Sequence, residues 1–173
     1  MRKRVKWFIA VLSAIVVLGA SAWRLWPHPF WDMVPAGGRS VTSLACTAGV
    51  SGLHEDGTAF VDAYQLQALS GGSEACEAVL GVLDQSDYRE SFQNLLPWSV
   101  TSVSTGGEKN ASIFLAWGST ERESCFLTVH SDGSVVVSTV EEEGLLVFHA
   151  ADRTVLDKLI DYVRLHGTKI DIG

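Results

Sequence analysis

At 173 residues the chain has room for one ordinary domain once its first 26 residues are set aside. Its formal charge of −7 blends two unlike parts: five of the thirteen Lys and Arg (Arg2, Lys3, Arg4, Lys6 and Arg24) lie in those 26 residues with no acid, and the other eight face twenty Asp and Glu, a formal −12. A part so acidic is repelled by phosphate backbones and anionic head groups, which sets nucleic acid aside as a partner class.

Residues 7–23, WFIAVLSAIVVLGASAW, carry no formal charge. As an α-helix they are roughly 26 Å long, against a hydrocarbon core of about 30 Å. Snorkelling of Lys6 and Arg24 extends the reach, and Trp7, Trp23 and Trp26 stand where interfacial aromatics belong. The basic cluster before the segment predicts that residues 1–6 stay cytoplasmic and that everything after the span lies outside. A cleaved secretory signal fits the same stretch, with Ala20-Ser21-Ala22 as the cutting site. The Trp at each end and the unbroken apolar run favour the anchor.

Residues 24–38, RLWPHPFWDMVPAGG, are broken by three prolines and a Gly-Gly pair, and read as a linker. Trp26, Phe30, Trp31 and Met33 give it two places to lie, at the membrane interface or against the domain. The domain itself is expected over 39–173. Alternation predicts a strand over 40–50 and another over 58–66, joined by the turn His54-Glu55-Asp56-Gly57. Ser73 is the expected N-cap of a helix whose stripe is Cys76, Val79, Leu80 and Leu83. Residues 88–98 have mixed character, Val100 and Val103 suggest a short strand, and 104–110 a polar loop. Strands over 111–118, 124–130, 134–140 and 145–149, separated by turn signals such as Asp132-Gly133, predict an antiparallel meander. Asp152 is the expected N-cap of a last helix with Val155, Leu156, Leu159, Ile160 and Val163 on one face, Asp157 and Asp161 pairing with Lys158 and Arg164, and Gly167 as its stop. The predicted fold class is α+β: a transmembrane helix, then a two-layer sandwich of an antiparallel sheet against two amphipathic helices.

The basic N-terminal anchor, the strand ending Tyr64-x-Leu66, the helix ending Val79-Leu80-x-x-Leu83, the following Tyr88-Arg89 and the closing strand and helix together resemble the small, uncharacterised, single-pass membrane-anchored extracytoplasmic proteins of Gram-positive bacteria. The resemblance is one of layout over residues 1–30 and 58–166. It implies a cell-envelope location and carries over no functional residue.

Candidate chemistry is sparse. Gly49-Val50-Ser51-Gly52 falls one residue short of a nucleophile elbow. His54, Glu55 and Asp56, and the run Glu141-Glu142-Glu143, offer oxygen ligands, but neighbouring residues do not all point inward, and both read as solvated turns. His130 and His149 near strand ends could sense pH, while His28 and His166 carry no pattern. Asn110-Ala111-Ser112 is an accidental glycosylation sequon, and the Gly pairs lack a phosphate-loop Lys. Cys46, Cys76 and Cys125 read as three small buried hydrophobes, with one disulfide as the alternative. No residue is assigned a catalytic, cofactor-binding or metal-binding role, and no cofactor is called for. The expected function is a membrane-tethered, non-enzymatic module that binds a protein or peptide at the cell envelope. The alternatives are a secreted or tethered hydrolase and an accessory subunit of a membrane complex.

Overall fold

The computed structural model describes residues 2–34, 40–96, 108–140 and 144–170. The strand expected around Val100 and Val103 and the run Glu141–Glu143 lie outside the described residues. The chain is α+β; the described residues form one antiparallel sheet of nine strands and four α-helices.

Strands β1 (His28–Pro29), β2 (Ser43–Leu53), β3 (Ala59–Ser70), β4 (Asp87–Glu90), β5 (Lys109–Ala116), β6 (Ser124–His130), β7 (Ser134–Thr139), β8 (Leu145–Ala150) and β9 (Thr168–Ile170) stand in the order β1-β4-β8-β7-β6-β5-β2-β3-β9. The meander β5 to β8 forms its centre. Its β6–β7 turn is set by Gly133 at φ +85° and by Asp132, whose carboxylate accepts from the Ser134 amide at 2.9 Å and hydroxyl at 2.6 Å. The β5–β6 connection is organised by Glu123, whose carboxylate accepts from the backbone amides of Ser119 and Thr120 and from the Thr120 hydroxyl. The hairpin β2–β3 joins the meander through β2 alongside β5. One register shift lies between Leu44 and Cys46, opposite Ala68, which is held at φ +32°. The turn before β3 repeats the Asp device: Asp56 accepts from the Thr58 amide and hydroxyl.

Pairing places Leu44, Cys46 and Ala48 of β2 beside Leu115, Ile113 and Ala111 of β5, and the last two beside Leu127 and Val129 of β6, all on one face. These join a single buried cluster with Val135 and Val137, and with the apolar sides of two helices. Helix α3 (Glu74–Asp84) supplies Cys76, Val79, Leu80 and Leu83, and its N-cap Ser73 accepts from the Cys76 amide at 3.3 Å. Helix α4 (Val155–His166) supplies Val155, Leu156, Leu159, Ile160 and Val163. Tyr88 closes one end, its hydroxyl donating to the Leu83 carbonyl at 2.7 Å.

Two expectations are corrected, the cap of α4 and its ion pairs. Thr154, not Asp152, is the N-cap of α4; Asp152 lies two residues earlier and accepts from the Thr154 amide and hydroxyl. Gly167 stops α4 as expected, with φ −92°, and glycine is required there by close approach: a Cβ would lie 2.5 Å from the Val163 carbonyl and 2.8 Å from that of Gln65. Lys158 pairs with Asp152, and Asp157 pairs with Lys109 at the start of β5, because neighbours outside the helix outcompete the local ones. Finally, the mixed stretch after α3 contains β4, and β9 follows α4.

The N-terminal end is continuous with this body. Helix α1 (Arg2–Arg24) contains an 18-residue window, Trp7–Arg24, long and apolar enough to cross a membrane, and none of that window is buried. The short helix α2 (Phe30–Met33) then places Phe30 and Met33 in the core, with Val34 behind them, while β1 pairs with β4. Of the two places open to this stretch, these three side chains take the one against the domain, and Trp26 is exposed.

Candidate functional site

Two surface features stand out, and each is built by register. The first is a cavity of about 580 Å³ where α1 meets the sheet. Trp23 and Arg24 from the last turn of α1, His28 from β1, Trp31 and Asp32 from α2, Tyr88 and Glu90 from β4 and Phe148 from β8 contribute to its wall. Pairing sets Glu90 beside Phe148, so this carboxylate points to the same side as the core, with its side chain only 10% exposed. A carboxylate so placed needs a counter-charge. Arg24 supplies it edge-on, Nε to Oε2 at 2.7 Å and Nη2 to Oε1 at 2.5 Å. His28 fixes the same corner: its Nε2 donates to the Trp23 carbonyl at 2.9 Å, and its Nδ1 stands 3.6 Å from Asp32. Trp23 packs edge-on against the His28 ring at 5.5 Å, and Trp31 against Phe30 at 5.0 Å.

The second feature lies on the sheet face turned away from the core cluster. Phe114 of β5 and Phe126 of β6 are paired in register, with ring centroids 4.9 Å apart. Phe126 is 57% exposed and Val140, just past β7, is 60% exposed. With Ala116, Gly118, Thr120 and Glu121 they line a shallow hollow of about 440 Å³. Farther along the same face Val136 and Val147 are buried. The 3₁₀ turn Phe92–Leu95 continues the flank of β8 past the end of β4, where the Asn94 side chain exchanges two hydrogen bonds with the Val147 backbone, at 2.9 and 3.0 Å. The outward face is thus buried at Val136 and Val147 and exposed at Phe126 and Val140.

The residues singled out in the sequence fall elsewhere. Cys46, Cys76 and Cys125 are free and buried; burial pushes the thiols of Cys46 and Cys125 up to about 12, so they stay protonated and unreactive. His54, Glu55 and Asp56 form an exposed turn, and Asp56 is occupied by Thr58. Among the described residues no group of three or more His, Cys, Asp or Glu is placed to hold a metal ion. Ser51 lies in β2, its hydroxyl 3.4 Å from the Glu108 carbonyl. His149 is paired in register with Ser134, but the Ser134 hydroxyl is spent on Asp132. His130 is partly buried, which lowers its basicity, with Asp132 opposing. His166 packs on Tyr162, and Asn110 is an exposed residue of β5.

Sequence reasoning missed Arg24–Glu90 and the Phe114–Phe126 pair. The partners in the first are 66 positions apart and nothing local marks them. The second was readable only as two outward-facing phenylalanines, one on each of two expected strands. The chain matches no protein family, no curated protein and no solved structure.

Proposed function

We propose that the chain is a membrane-tethered, extracytoplasmic domain of the cell envelope, an α+β two-layer sandwich that binds a cationic, apolar peptide segment of an envelope protein over Phe114, Phe126 and Val140. The observation that carries the binding reading is the Phe114–Phe126 pair on the outward sheet face, with Phe126 and the neighbouring Val140 exposed. Charge selects the partner. The part of the chain after residue 26 holds twenty acids against eight bases, and Glu121 stands at the rim of the hollow. The basic residues ahead of the span support the outward orientation. Retention of α1 is supported by its helical course through Ala20–Ala22 to Arg24, which is clamped to the domain by Glu90.

The test is a pair of fluorescent amphipathic peptides, identical but for Lys or Glu on the polar face, titrated into the full chain in detergent. The Lys peptide should bind about tenfold more tightly, with that preference shrinking as salt is added, and Phe126→Ser, which removes the apolar contact without changing charge, should weaken both peptides about tenfold. Equal affinities, or a Phe126→Ser variant that binds as the parent does, would reject the patch as the docking site. The mass of the protein recovered from membranes separates an intact chain from one that begins at Trp23.

A further inference from the structure

We propose that the cavity at the foot of α1 holds the head group of a zwitterionic phospholipid drawn from the surrounding leaflet, a proposal that rests on the membrane reading of α1. Position is the first argument. Trp23 and Arg24 are the last two residues of the membrane-length window, and both lie in the cavity wall. The cavity therefore begins at the level where the hydrocarbon layer ends and head groups start.

Chemistry is the second argument. The wall offers one guanidinium, two carboxylates and a set of aromatic rings. Glu90 takes the Nε–Nη2 edge of Arg24, and the fork of a guanidinium has a second edge, at Nη1, suited to a phosphate oxygen. Asp32, with its side chain 62% exposed, and the face of Trp31 suit an ammonium group. One phosphate beside one ammonium is the head group of phosphatidylethanolamine or phosphatidylcholine. An anionic lipid would meet Asp32 and a domain of formal charge −12 with no ammonium to offset them. The volume of about 580 Å³ accommodates a head group and its glycerol, while the two acyl chains stay in the leaflet along α1.

The experiment is native mass spectrometry of the full-length chain released from maltoside micelles, with equimolar phosphatidylethanolamine and phosphatidylglycerol added. One phosphatidylethanolamine should be retained per chain, preferred by about tenfold; Asp32→Asn should lower that preference severalfold without moving the melting temperature, and Trp31→Leu, which also loses packing on Phe30, should lower it severalfold at a temperature where the variant is folded. Equal retention of the two lipids, or variants that retain lipid as the parent does, would overturn the head-group site. A chain that stays monomeric and soluble after detergent removal and takes up neither lipid would overturn the membrane reading, and this proposal with it. A chain that needs detergent yet does not discriminate between lipids leaves the membrane reading standing and overturns only the site.

Discussion

Three aspartates in this chain do the same small task. Asp56, Asp132 and Asp152 each stand two residues before a Thr or Ser and accept from both its amide and its hydroxyl. Charged acceptors hold such bonds better than neutral ones, so all three carboxyls lie below the ordinary value of 3.8. The Asp152 carboxyl falls to about 2, with Thr154 the main cause and Lys158 adding to it. The folded state therefore binds protons less readily than the unfolded chain. Its stability from these groups is full above 3.8 and is lost as pH falls toward about 2. Thermal melts across that range should show the melting temperature falling steeply in the parent and less steeply in Asp152→Asn, whose side-chain oxygen still accepts but no longer titrates. A parallel decline in the two proteins would show that Asp152 does not set this limb. His130 adds an earlier limb: burial keeps its ring neutral in the fold below the ordinary 6.5, so unfolding takes up a proton and stability begins to fall once the pH drops under 6.5.

Among the elements, β3 carries the clearest local cost. Ala68, opposite the register shift of β2, is the one non-glycine residue with positive φ among the described residues. The left-handed region costs an alanine about 1–2 kcal/mol, and a glycine pays part of that back in unfolded-chain entropy. Ala68→Gly should leave stability unchanged or raise it by up to about 1 kcal/mol in denaturant titrations, whereas glycine at an ordinary strand position lowers it. A loss of about 1 kcal/mol or more would mean that the bulge is not strained. This element also shows what a sequence can and cannot disclose. Its hairpin with β2, and the meander after it, were legible because alternation runs for six or more residues and ends at Gly- and Asp-bearing turns. The bulge was not, because it arises from pairing with a strand elsewhere. β1, β4 and β9 were not either: with two to four residues each, they are too short to have a period, and only their neighbours make them strands. For α4 the stripe was plain, yet its cap and ion pairs were misread because Lys109 and the Asp152 turn come from outside the helix.

At the scale of the whole molecule, the fold is held by burial and pairing with no covalent staple. All three cysteines are free, and each is buried among core side chains in β2, α3 and β6. The native protein should therefore titrate no thiols with an aromatic disulfide reagent and three after unfolding in guanidinium, and its melting temperature should be the same with and without reductant. A native thiol that reacts within minutes, or a reductant-sensitive melt, would contradict that arrangement. Neither the cavity at the foot of α1 nor the Phe114–Phe126 hollow has a cysteine in its wall.

The order of strands has a consequence for how the protein is made. The two edges of the sheet are closed by β1, which precedes β4 by more than fifty residues, and by β9, which follows β3 by about a hundred. During vectorial synthesis β3 thus emerges long before its last partner does. The flank of β3 toward Lys169 and Ile170 stays an open template for other nascent chains until α4 has passed through the exit channel. A ribosome that pauses before residue 168 would present that edge for as long as the pause lasts.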